Sequence, residues 1–286
     1  MIHLPPERHW VWQPALAERI ALLACIWVAW QPAALQAQLP ADSFTLVSTF
    51  PIQARFATAD HLDNIYVLTP QNALEKYAPD GRLLARYTNN RLGAVTAVDP
   101  ANPLKILVWY ADFRTVVFLD RNLTALGTLD LISAGFPDVR TVSGAADGNL
   151  WVYDEANFQL RKITPAGEPL FESQRLNQLY PGRVAVTCIH DNGSEVLAAD
   201  PQWGILWFDV YGQFQKSLPW TNISTFILSQ NQLQYRAGGQ LHIEQLQAFA
   251  SRTRPLPASA LPSEIQSWLA PGLLLVQNGD ILEVWQ

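Results

Sequence analysis

Asn64-Ile-Tyr-Val-Leu68 followed by Leu74-Glu-Lys-Tyr-Ala-Pro-Asp-Gly-Arg-Leu-Leu84 returns later in the chain as Asn149-Leu-Trp-Val-Tyr153 followed by Leu160-Arg-Lys-Ile-Thr-Pro-Ala-Gly-Glu-Pro-Leu170. Each copy reads as a short apolar strand, a polar loop, a second strand and a glycine turn. A unit this small cannot bury its apolar face alone, so its copies must stack on one another to form a core. Repeated units built of short strands point to a β-propeller, a scaffold that hosts enzymes, binding modules and assembly platforms alike.

The same grammar extends on both sides of these copies. After residue 40, runs rich in Val, Ile, Leu, Phe, Tyr and Trp alternate with Gly, Pro, Asn and Asp, and helical periodicity is nearly absent. Pro79-Asp-Gly81, Asp120-Arg-Asn122, Pro165-Ala-Gly167 and Val210-Tyr-Gly212 each close one strand and open the next. With Gly81, Asn122, Gly167 and Gly212 as register marks, the interval is about 41 to 45 residues, the period of four-stranded blades.

The expected fold is therefore all-β, a six-bladed β-propeller of four-stranded antiparallel blades occupying 38–286. Blades one to five are expected at Ala54–Thr88, Ala94–Leu131, Arg140–Ser173, Arg183–Trp220 and Ser224 to about Arg254. Blade six holds Leu273–Val276 and Asp280–Trp285 but lacks an outer strand, whereas Phe44–Phe50 is a strand with no blade of its own. The N-terminal strand is thus expected to complete the last blade and close the ring. The Pro-, Ala- and Ser-rich stretch Arg254–Leu269 holds either the inner strand of blade six or a short helical excursion around Ser263–Leu269.

Of the 286 residues, 49% are hydrophobic and 15% charged, enough to bury one large core. The formal net charge is −6 and no run of Lys or Arg occurs, which excludes nucleic-acid binding through a basic footprint. The first residues are of another kind. Arg8, His9 and Arg19 precede the uncharged run Ile20–Trp30, then Pro32 and the small-residue patch Ala33–Ala37. This run is too short to cross a bilayer and fits the apolar region of a secretory signal over 1–37, cleaved after Ala37. Leu22-Leu-Ala-Cys25 also has the order of a lipoprotein box, and an uncleaved anchor is a third reading; any membrane attachment is expected through this segment. After cleavage Cys188 remains, read as a small buried hydrophobe in the strand-like run Val184–Ile189.

Asp63-Asn-Ile-Tyr-Val67 with Leu74–Gly81, and Gly148-Asn-Leu-Trp-Val152 with Leu160–Gly167, resemble the repeat of the NHL and related six-bladed propellers. The resemblance is good in blades one and three and partial in two and four. It covers about a third of the mature chain as motif. Exported propellers of this kind are similar to envelope proteins of Bacteroidetes-type bacteria, which implies a periplasmic or outer-membrane-associated location more than an activity.

In a propeller, the loops between second and third strands share one face with the loops between blades, and that face usually binds. Tyr110, Asp112, Arg114, Asp154, Phe158, Asp200 and Trp203 are the candidate binding residues there, aromatic and charged groups suited to a protein or glycan surface. Asp112, Asp154 and Asp200 recur at similar places, which favours turn capping over catalysis. His61 and His190 are expected at turns on the opposite face, and His61, His190 and His242 are too far apart in sequence for metal-ligand spacing. Neither a Gly-x-Ser-x-Gly elbow nor a Gly-rich phosphate loop is present. No catalytic residue, metal or cofactor is therefore expected. The sequence is read as an exported non-catalytic binding or scaffold protein of the cell envelope, with a protein or glycan partner. The alternative is a metal-dependent lactone or sugar hydrolase of the gluconolactonase type. A structural subunit of an outer-membrane machine is a weaker third reading.

Overall fold

The computed structural model describes residues 43–286 except 230, 249, 263 and 264, so the signal segment expected over 1–37 lies outside the described residues. Among the described residues, twenty-four strands form six four-stranded antiparallel sheets. Blade one comprises β2 (Phe56–Ala59), β3 (Ile65–Leu68), β4 (Ala73–Tyr77) and β5 (Leu83–Thr88). Blade two comprises β6 (Ala97–Asp99), β7 (Ile106–Tyr110), β8 (Thr115–Leu119) and β9 (Ala125–Asp130), and blade three β10 (Val139–Gly144), β11 (Leu150–Asp154), β12 (Gln159–Ile163) and β13 (Pro169–Glu172). Blade four comprises β14 (Cys188–Asp191), β15 (Glu195–Asp200), β16 (Gly204–Asp209) and β17 (Phe214–Leu218). Blade five comprises β18 (Ile227–Ser229), β19 (Gln232–Ala237), β20 (Gln240–Gln245) and β21 (Ala250–Pro255).

Blade six closes the ring as expected. Its sheet order is β1 (Leu46–Phe50), β24 (Ile281–Trp285), β23 (Leu273–Asn278), β22 (Ser267–Ala270), so the first strand is the outer strand of the last blade. Pairing the ends of the chain leaves no gap between first and last blades, and Phe50 packs with Leu275, Leu282 and Val284 in one core cluster. The Arg254–Leu269 stretch resolves into a 3₁₀ turn at Ala258–Ala260 followed by the inner strand β22.

The apolar alternation has a radial logic. Middle strands β3, β7 and β11 are buried at every position because neighbouring blades cover both of their faces, whereas outer strand β13 is exposed throughout. Trp109 and Trp151 are fully buried between blades, the packing role their strand positions imply. The register marks hold at Gly81, Gly167 and Gly212, where φ is 89°, 88° and 79°. In blade two the left-handed residue is Leu123 (φ 59°), one position beyond Asn122. There Asp120 accepts from the amides of Asn122 and Thr124, fixing the turn, and burial of the Leu123 side chain offsets part of its strain.

Blade four departs from expectation at its inner edge. Val184–Thr187 is not strand, and β14 begins only at Cys188, so His190 lies inside the inner strand rather than at a turn.

Candidate functional site

Antiparallel blades give the propeller two ends. One end gathers the second-to-third-strand loops and the inter-blade loops; the other gathers the turns between first and second strands. The seven expected binding residues all lie at the loop end, and the structure places them in three different situations.

Tyr110, Asp154 and Asp200 are each the last residue of a middle strand, paired with Thr115, Gln159 and Gly204. All three are buried. Burial, together with neighbouring Tyr87, pushes the Tyr110 phenol far above its ordinary range, so it stays neutral. Asp154 accepts from the amide and side chain of Asn157 (3.3 and 2.8 Å) and pairs with Arg161 Nε at 3.2 Å. Asp200 accepts from the amides of Ala185, Gln202 and Trp203 at 2.6, 2.8 and 2.9 Å. The recurrent acids are thus occupied by turns, as the repetition argument expects.

Asp112 is not their equivalent in blade two: it stands out in the loop, exposed, beside Gly93. Arg114 is bent back, donating to the carbonyls of Ala111 and Pro137. Trp203 is half-buried against Tyr180 (ring centroids 5.1 Å) and donates to the Arg183 carbonyl. Phe158 lines a cleft of about 340 Å³ with Asp138, Glu155, Gly182, Arg183 and Val184. Tyr110, Asp154 and Asp200 are therefore buried beneath the loop surface rather than part of it.

The larger concavity, about 380 Å³, lies at the other end. It draws His61 from blade one, Asp99 and Lys105 from blade two, Gly144 and Asn149 from blade three, and Asp191 from blade four. Its rim is tied across blades. Asp99 Oδ2 accepts from Ser143 Oγ (3.0 Å) and the Gly144 amide (2.8 Å), while Oδ1 takes the Ala101 amide at 2.9 Å. Asp191 Oδ2 accepts from Trp151 Nε1 at 2.8 Å, and its other oxygen from the Gly193 amide at 2.7 Å. Blade three is thereby clamped from both neighbours by buried-edge hydrogen bonds to charged acceptors.

Lys105 is the group left for chemistry. Its amine donates to the Gly148 carbonyl at 3.0 Å and sits 4.8 Å from the centre of the Phe118 ring. Among the described residues no carboxylate forms an ion pair with it, and burial lowers its pKa. Sequence reading missed this cavity because its members come from four blades and form no local motif. One signal was present: the turn holding Pro100–Lys105 is the longest of the first-to-second-strand turns among these four blades. Among the described residues, no group of three or more His, Cys, Asp or Glu is placed to hold a metal ion.

These features define a six-bladed β-propeller with a polar cavity at its turn-end mouth. No family model matches the chain, and no curated protein resembles it in sequence. Among solved structures it is similar to a streptogramin B lyase (TM-score 0.54, 14% identity, 80% of this chain and 78% of that one). It is equally similar to a catalytically inactive virginiamycin B lyase from Staphylococcus aureus with quinupristin (TM-score 0.54, 14% identity, 80% and 79% covered). The WD40 domain of Pan2 from Neurospora crassa gives TM-score 0.56 at 11% identity, with 86% of this chain and 95% of that one covered. At these identities the likeness shows the propeller fold. It also corrects the expectation of a non-catalytic scaffold: that reading rested on the lack of a recognisable reactive motif, and propellers of this shape include lyases.

Proposed function

We propose that the protein is an exported propeller enzyme of the lyase or hydrolase class, binding a small carbonyl-bearing molecule in the turn-end cavity and moving a proton there with Lys105. The observation that carries this reading is Lys105 itself. It is an amine in a polar cavity, bonded to a neutral carbonyl, with its pKa lowered by burial. Neutral, such an amine takes a proton from carbon beside a carbonyl or from an attacking water; protonated, it polarises the carbonyl oxygen. Asp99 and Asp191 have both oxygens engaged, which suits them to holding the rim rather than to acting as bases. Likeness to streptogramin and virginiamycin B lyases supports an enzymatic role at the level of scaffold. Lactones and sugar lactones fall within the same substrate class. Export is supported by the charged, apolar and small-residue order of 8–37.

The test is a turnover screen of the purified protein against lactones, aryl esters and quinupristin, run with added calcium or magnesium and again with chelator. The expected result is turnover of one class with a rate that rises as pH passes the lowered pKa of Lys105. Failure to turn over or bind any class under either condition overturns the reading.

A further inference from the structure

The loop mouth holds a second concavity, between blade three and the segment leading into blade four, that the proposed chemistry does not use. Its volume is about 340 Å³, at the lower end of the roughly 300–1,000 Å³ found for small-molecule pockets. Hydrogen bonds fix its walls before any ligand arrives. On the blade-three side the Glu155 amide donates to the Asp138 carbonyl at 2.9 Å, and the Leu176 amide to the Phe158 carbonyl at 2.8 Å. On the other side the carbonyls of Arg183 and Val184 accept from Trp203 Nε1 (3.4 Å) and from the hydroxyl of buried Tyr153 (3.0 Å).

Two opposite charges line this cleft, and neither is spent on the other. Asp138 is half-buried, and among the described residues no donor bonds to its carboxylate and no cation pairs with it. Arg114, on the adjacent loop, turns instead to the carbonyls of Ala111 and Pro137. Arg183 contacts Glu155 through Nη2 alone, at 3.0 and 3.3 Å, so its other N–H groups have no partner among the described residues. Glu155 is already satisfied, because Arg140 Nε also lies 3.0 Å from it. The cleft thus offers one open acceptor and one open set of donors.

Phe158 supplies an apolar wall at a conformational cost. The residue that leads into the third strand is left-handed in blades one to four: Asn72, Arg114, Phe158 and Gly204 have φ of 64°, 49°, 55° and 89°. Glycine and asparagine adopt this conformation readily; a bulky aromatic does not. Core packing does not compensate. Among the described residues the Phe158 ring joins no apolar core cluster and meets no other ring. It lines the cleft beside Val184.

We propose that this cleft binds a free α-amino acid with an apolar side chain, its ammonium on Asp138, its carboxylate on Arg183 and its side chain against Phe158 and Val184. Both polar contacts are then charge-assisted hydrogen bonds, and both open groups find a partner. A lone anion would meet Asp138, a lone cation would meet Arg183, and a neutral molecule would leave both charges unpaired. The site stands independently of the turn-end cavity: turnover there neither requires nor follows from binding here.

The experiment is calorimetric titration of the folded full chain with L-phenylalanine and L-leucine, alongside 3-phenylpropionate, which lacks the amine, and phenethylamine, which lacks the carboxylate. The expected result is binding of the amino acids, with each one-charge analogue weaker by roughly tenfold or more. Asp138→Asn and Arg183→Gln, checked for unchanged melting curves, should weaken L-phenylalanine by a similar factor. Phe158→Asn, the residue blade one has at this position, should weaken it too without lowering the melting temperature. Either one-charge analogue binding as tightly as L-phenylalanine, or undiminished binding in any of the three variants, overturns the proposal. So does the absence of heat from both amino acids at millimolar concentration.

Discussion

The two mouths of the channel use aspartate in the same way and differ in what they leave beside it. At the loop mouth, Asp154 and Asp200 are absorbed by their own turns, and Trp203 rests on Tyr180. At the turn mouth, Asp99 and Asp191 reach across to blade three and brace it from either side. That bracing holds open a cavity whose remaining cation, Lys105, has no carboxylate partner among the described residues. The lesson is that what recurs from blade to blade is scaffolding at both ends. Chemistry is to be sought in a side chain that occurs once.

Exchanging the ends in an activity assay is the strongest way to break the comparison. Lys105→Met should lower turnover of whichever substrate the screen identifies by about two to four orders of magnitude, the usual contribution of a positioned acid–base group. Trp203→Ala should leave kcat/KM within a few-fold of the parent. The opposite pattern would move the site to the loop mouth.

Next in size is a backbone test of the loop mouth as pure structure. Gly204 opens β16 with φ 89°, and a Cβ there would lie 2.1 Å from the Leu218 carbonyl oxygen on the adjacent strand. Gly135 has φ 90° but open space around it. Both alanines carry left-handed strain of about 1 kcal/mol. Gly204→Ala must also displace backbone, and urea denaturation should show it less stable than Gly135→Ala by about 2 kcal/mol or more. Equal stabilities would mean that the β16–β17 pairing yields without penalty.

How much of this was legible follows the same division. Blades one and three announce themselves because their turns need glycine at Gly81 and Gly167, and a conformational need leaves a mark in sequence. Closure by β1 was legible by counting, since one strand was left over and one blade was short. The Asn122 mark was misplaced by one because Asp120 caps the turn with its side chain, so no glycine signals the left-handed residue at Leu123. Blade four was read too early because Val184 and Val186 are apolar, yet they pack as coil, with the Ala185 amide drawn to Asp200. Asp99, Lys105 and Asp191 leave no such mark. Their proximity arises only when blades are arranged around the channel, and no local spacing encodes it.

Electrostatics sharpens the comparison at smaller scale. At the turn end of blade three, Lys162 is 5% exposed and its amine lies 2.8 Å from Asp147 Oδ2. Burial works to raise the Asp147 pKa, but hydrogen bonds from Lys162 and Asn149 and the lysine charge together hold it below the ordinary carboxylate value. A depressed carboxylate pKa contributes stability in full above the unfolded value and loses it as pH falls through the folded one. Asp147→Asn should therefore destabilise by about 1–2 kcal/mol at neutral pH, discounted for the exposure of Asp147, with the difference from the parent vanishing in strong acid. Melting curves from neutral pH into the acid range would measure it, and a difference independent of pH would show that packing rather than charge is responsible.

The smallest effect belongs to the exposed charges of the loop mouth. Glu155 Oε2 is 3.0 Å from both Arg140 Nε and Arg183, whose side chains are 60% and 57% exposed. Either arginine can satisfy the carboxylate without the other, and both guanidinium groups are solvated when released. Arg183→Ala should therefore change stability by less than about 0.5 kcal/mol. The redundancy predicts more than a small number. Removing Arg140 as well leaves the nearly buried Glu155 without a cation, so the double variant should lose more than the two single losses added together. Strict additivity would mean that water already screens this carboxylate, and the loop mouth would then be wetter than its packing implies.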